Sequence, residues 1–217
     1  MASDGDCQPV IARVVSSQGP VELRRSGDSA WRPATVDSRL CAGDVLRAGR
    51  HGRAAVALAD QSLVRLDALT TLTLPSGAGE PDRAPWLELL EGIIHLLSRE
   101  PMGLTVDTPF VNAAVEGTEF VVSSRDGRAS VLVLEGRVRA SNARGEVELR
   151  AAEMATATAE TAPAKITVAR PFDAVHWALY YPPVIVPDRA SEGELVEPLE
   201  RYRAGDVAGA LRLLEQV

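Results

Sequence analysis

Cysteine, histidine, lysine and aromatic side chains are all scarce in this chain, and each scarcity closes off a class of function. Two cysteines, Cys7 and Cys41, are too far apart for a CxxC redox site or a metal knuckle, which leaves one intrachain disulfide or two unrelated thiols. The three histidines, His51, His95 and His176, stand alone in sequence, so no metal-ligand spacing is present. Lys165 is the single lysine, and 23 basic residues face 30 acidic ones for a net charge of -7. With no global positive field, nucleic acid is excluded as an expected partner. No apolar run approaches the roughly 20 residues of a spanning helix, so no membrane segment is expected within these residues. A Gly-x-Ser-x-Gly elbow, a phosphate-cradling loop and a dinucleotide fingerprint are all missing, and no cofactor is expected.

What is abundant is strand pattern. From Val10 to about Val168, short β-branched or alternating runs are separated by Gly, Asp, Asn or Pro. Most runs span four to six residues, Leu87–Leu90, Gly92–Leu97, Val111–Val115, Thr118–Ser123, Ala129–Leu134 and Gly136–Ser141 among them. Such a rhythm predicts a mainly β fold, a β-solenoid-like or sandwich-like stack of short strands. Gly52–Leu58 (GRAAVAL) is echoed by Gly127–Val133 (GRASVLV), consistent with two related β units or with the common look of strand-turn-strand in an Arg- and Ala-rich chain. Residues 1–10 read as a flexible N-terminus, 11–170 as the β domain, 171–190 as an aromatic and Pro-rich linker packing on it, and 191–217 as helical. In the last segment Ser191 caps a helix with Glu194 three residues on, and Val207–Val217 starts a second, giving a short C-terminal α-helical hairpin. Trp31 and Trp86 read either as core lids or as ligand platforms. Trp177, Tyr180 and Tyr181 form either a packed seam or an exposed docking strip.

Acids could do chemistry alone, since glycoside hydrolysis needs only two carboxylates at a fixed separation. Asp107, Glu116, Glu119 and Glu135 are the candidates, but sequence spacing brings no two of them together. The stretch Val106–Val122 (VDTPFVNAAVEGTEFVV) is more informative. Pro109 fixes its own backbone and keeps Thr108 extended. Gly117 between two strand runs predicts a bulge or a close backbone approach. Alternation then sets Val115, Glu119 and Val121 on one face and Thr118, Phe120 and Val122 on the other. Apolar residues on both faces make this a central strand, and Glu119 in it needs a partner such as Arg or backbone N–H groups.

These residues resemble the FecR domain family, whose "Thr-Pro", short apolar strand and "Gly-Thr-Glu-Phe" run correspond to Thr108, Pro109, Gly117, Thr118, Glu119 and Phe120. The family's following hairpin is similar to Val131–Val138 with Gly136 at its turn, and Gly19–Val21, Trp31, Gly43–Leu46, Gly49, Ala54 and Leu63–Leu66 fall in family order. The tail resembles the start of a tetratricopeptide repeat through Tyr202, Gly205–Asp206, Ala210 and Leu211, which implies that the natural protein continues past Val217. The resemblance implies a non-catalytic, periplasmic or otherwise extracytoplasmic binding or scaffolding module for a protein, peptide or glycan partner of the bacterial envelope, its leader already removed before Met1. The alternative it implies is the sensor domain of a transmembrane anti-sigma regulator, though the membrane helix of signalling relatives is absent from these residues. A carbohydrate-active enzyme ranks third.

Overall fold

A computed structural model describes residues 9–74, 86–98 and 104–179, together with 197–198, 201, 209 and 212–213, and gives only the backbone of 115–117 and 179. The chain divides into two compact units, residues 1–181 and 182–217. The expected helical hairpin, the tail's repeat motif, Cys7, Tyr180 and Tyr181 lie largely or wholly outside the described residues.

Among the described residues the first unit is mainly β. Its strands are β1 (Val10–Gln18), β2 (Val21–Arg24), β3 (Arg32–Pro33), β4 (Arg39–Cys41), β5 (Val45–Ala48), β6 (Arg53–Leu58), β7 (Leu63–Leu66) and β8 (Thr70–Thr73). There follow β9 (Trp86–Leu97), β10 (Leu104–Asp107), β11 (Asn112–Arg125), β12 (Arg128–Asn142), β13 (Gly145–Arg150), β14 (Glu153–Thr158) and β15 (Ala164–Thr167). All fifteen belong to one hydrogen-bonded sheet.

The sheet closes on itself, barrel-like, because three long strands each change neighbours halfway along. The first half of β9 pairs with β8 and β10, and from Gly92 onward it pairs with β11 and β7. The first half of β11 lies beside β10, while Glu119–Ser124 lies beside β9. β12 runs along β11 throughout, with β14 on its other side over Arg128–Leu132 and β13 over Arg137–Asn142. The changes fall at Gly92 (φ 114°), at a register slip between Glu116 and Glu119 around Gly117, and at Gly136 (φ 84°). A strand can bend so sharply only where an extra residue or a missing Cβ frees the backbone.

This corrects the expectation of short stacked strands. Each of the pairs 87–90 and 92–97, 111–115 and 118–123, and 129–134 and 136–141 is one continuous strand bent at the glycine between its halves. Every pairing is antiparallel except β9 with β10, so the strands do not stack as parallel coils. The two echoed segments fall in β6 and the first half of β12, within a single core.

The bends turn two inner faces toward one another. Val14, Val56, Val64, Leu96, Phe120, Val131 and Val133 come from one half of the sheet and Leu23, Leu46, Leu72, Leu89, Val106 and Leu149 from the other, all in one buried cluster. Phe120 and Val122 are fully buried there, as alternation along the 106–122 segment requires. Its neighbour Val121 points the opposite way, into a second apolar cluster on the sheet's outer surface.

Candidate functional site

The family-like residues fall into two places. At the β10–β11 corner, Thr108 Oγ1 accepts from Val111 N (2.9 Å) and Phe110 N (3.2 Å) and donates to Val111 O (2.8 Å). One hydroxyl thus closes the turn whose backbone Pro109 pre-sets, and Asn142 Nδ2 ties it to β12 through Phe110 O (3.2 Å). The upstream Gly43-Asp44 pair makes a similar corner. Asp44 is buried and accepts from Arg25 Nη1 (2.6 Å), Cys41 N (2.8 Å) and Ser26 N (3.0 Å), so its charge is compensated by three donors. These residues build the frame.

The second place is the outer surface of the central strands. Across the ladder, Arg65 of β7, His95 of β9 and Val121 of β11 stand in one row, and Glu119 is one step along from Val121 on the same face. Glu119 Oε1 lies 2.8 Å from His95 Nε2. His95 is 2% exposed, and its Nδ1 is buried with no hydrogen-bond partner. The partner that Glu119 requires is therefore a histidine, where arginine or backbone N–H groups are the expectation from sequence. Alternation with the inward-facing Ile94 and Leu96 gives the face of His95, but its meeting with Glu119 follows only from the β9–β11 register.

Around this pair the outer face is apolar. Ala55, Val121, Leu132 and Leu134 are buried there, with Val15, Leu63, Ile93, Met154 and Val168 packed against them. The cover is a 3₁₀ turn, Pro171–Val175, running into one α-helical turn, His176–Leu179, which sets Val175 and Ala178 into the cluster. Trp177 is half-buried against the same cluster and donates Nε1–H to Ala174 O (2.9 Å). Elsewhere Trp31 lies half-exposed with the Arg47 guanidinium 4.0 Å from its ring centroid and Arg24 at 5.2 Å, while Trp86 opens β9 opposite Thr105.

Of the four acids, Glu119 and Glu135 stand opposite one another in the β11–β12 ladder. Glu119 turns to His95 on the other side, however, and Glu135 is exposed. Asp107 pairs with Asn112 at the distant corner. Glu119 is thus a carboxylate held by His95, and the side chain of Glu116 lies outside what the structure describes. Among the described residues there is no cluster of three or more metal-ligating side chains, and no helix is long and apolar enough to cross a membrane.

Burial holds the His95 pKa below its ordinary value of 6.5, against the opposing pull of Glu119 and with some help from Arg65. Between the unfolded and folded values the unfolded chain binds a proton that the folded chain does not. Stability is therefore complete above the ordinary value and falls as pH drops toward the lowered one. Thermal melts between pH 7.5 and 5 should show a declining midpoint for the wild type and a flatter profile for His95→Gln; equal slopes would contradict the assignment.

The comparisons agree with this frame. No curated protein matches the sequence. Two crystal structures of a candidate anti-sigma factor from Parabacteroides distasonis ATCC 8503 share the fold, with TM-scores of 0.54 and 0.52, each at 20% identity. They align over 62% and 60% of this chain and over 64% and 63% of theirs, so the likeness spans less than two thirds of those chains. Residues 44–139 match the FecR protein family, a span that holds the Asp44 corner, all three bends and the Glu119 pair.

Proposed function

We propose that the chain is the extracytoplasmic β domain of a FecR-type regulator, acting by contact with another protein and performing no chemistry. The observation that carries this reading is the family segment itself. Its one charged motif residue on the central strands, Glu119, is bound to His95 beside an apolar outer cluster, which supports a motif that fixes a surface over one that supplies a reacting group. Family and fold likeness favour regulation over the scaffolding role that sequence composition also allows.

In the bacterium that encodes it, in-frame removal of residues 10–168 should change transcription from promoters of one alternative sigma factor by at least roughly fivefold, the lower end of typical regulatory coupling. An unchanged transcript profile would rule the regulator out. A periplasmic setting fits a Cys7–Cys41 disulfide, and Cys41 Sγ lies 3.1 Å from the O of Pro9, which is two residues from Cys7 in sequence. Intact-mass measurement without reductant tests it: two alkylatable thiols in freshly exported protein would contradict both bond and setting. The 191–217 tail as the opening of a repeat array belongs to the same proposal.

A further inference from the structure

A sheet that closes imperfectly leaves edges, and unpaired backbone on an edge is a template for another strand. Four strands here have a single partner among the described residues: β3, β4, β13 and β15. Three of them are blunted. β3 is two residues long and contains Pro33. On β4, Arg25 Nη1 donates to Arg39 O (2.8 Å) and Cys41 N–H is taken by Asp44. On β13, Lys165 Nζ donates to Glu148 O (3.4 Å), Arg150 N–H is taken by the Glu153 carboxylate (2.8 Å), and the strand carries Glu146, Glu148 and Arg150.

β15 is different. All four of its residues, Ala164, Lys165, Ile166 and Thr167, are exposed, and Ile166 is one of the few large apolar side chains left in solvent, at 55%. Its lysine does not guard the edge, because Lys165 is paired with Glu153 at 3.0 Å. The direction of the free groups follows from the ladder. Val168 N–H bonds to Ala152 O (2.8 Å), so alternation turns Ile166 and Ala164 toward β14 and leaves the N–H and C=O of Lys165 and Thr167 facing outward. Ile166 lies opposite Met154, at the margin of the outer apolar cluster.

We infer that the free edge of β15 is a strand-addition site, taking an extended segment of a partner protein whose aliphatic or β-branched side chain packs beside Ile166. Main-chain bonds to Lys165 and Thr167 would give affinity and the Ile166 margin selectivity. A second copy of this chain is the weaker fit, since four residues fall far short of the roughly 20–30 a side of a stable dimer, whereas a transient signalling contact lies at the small end of the range. The occupant is the partner through which the regulator acts, so this inference rests on the reading given above.

Thr167→Pro tests it, removing an outward N–H while leaving the β14–β15 bonds in place. In the full-length protein in its own cell, it should change the sigma-dependent response by at least roughly fivefold, in the same direction as the domain deletion. Thr167→Val, which keeps the N–H, should leave that response at the wild-type level, and the melting midpoint of the purified domain should not move in either. Should Thr167→Pro itself destabilise the fold, Ile166→Glu, at an exposed side chain, should give the same change in response. A wild-type response in folded Thr167→Pro or Ile166→Glu protein overturns the edge site and leaves the regulator standing. An unchanged response in the deletion strain overturns both.

Discussion

Gly92→Ala should lose about 3–5 kcal/mol of stability, a large part of the roughly 5–15 kcal/mol that holds a domain together. Two costs combine. At φ 114° an L-residue is strained by about 1–3 kcal/mol. A Cβ there would also overlap Thr70 at its Cα, Cβ and Oγ1, and crowding of this kind costs about 1–3 kcal/mol more. Thr70 is poorly able to yield, being fully buried with its Oγ1 accepting from Ile93 N (3.0 Å) and donating to Ile93 O (3.2 Å). Gly127→Ala is the matched control: φ is 73°, but a Cβ there meets nothing within 4 Å. Its cost should stay near the roughly 1–2 kcal/mol of the backbone alone. Urea titrations of both variants separate the bend from the conformational preference, and equal losses would mean that the β9 bend is not tightly packed.

Phe120→Ala should cost about 3–5 kcal/mol, the usual range for a fully buried aromatic. Phe120 is 0% exposed and stands between Leu96 of β9 and Val133 of β12, where the two halves of the sheet share their core. Phe172→Ala, at a side chain 58% exposed, should stay within about 0.5 kcal/mol. A small effect at Phe120, read by thermal or chemical denaturation, would place that residue outside the core and reverse the orientation of β11.

Strand content and the inward set of the 106–122 segment were legible because each depends on local rules, alternation and proline geometry, whereas the Thr108 hydroxyl that closes the corner was not read from the sequence. The long strands were not. Glycine weakens a strand and marks a turn equally well, so Gly92 and Gly136 read as breaks when they are bends, while at Gly117 the expected bulge meets a register slip in the ladder. Only tertiary pairing distinguishes the two, because a bend needs different neighbours on each side of it. The His95–Glu119 contact was hidden for the same reason. Twenty-four residues separate the two side chains, and their meeting depends on the register of β9 against β11, which no local pattern encodes. Strand β4 and the two-residue β3 carried no alternation to read at all.

In the regulator proposed above, a folded, three-times-bent sheet, and not any reacting group on it, carries the role. A promoter reporter for the affected sigma factor measures this directly in strains carrying Gly92→Ala, Gly127→Ala or the domain deletion. The prediction is a wild-type response with Gly127→Ala and a response altered to the level of the deletion with Gly92→Ala. A wild-type response in the Gly92→Ala or deletion strain would contradict it.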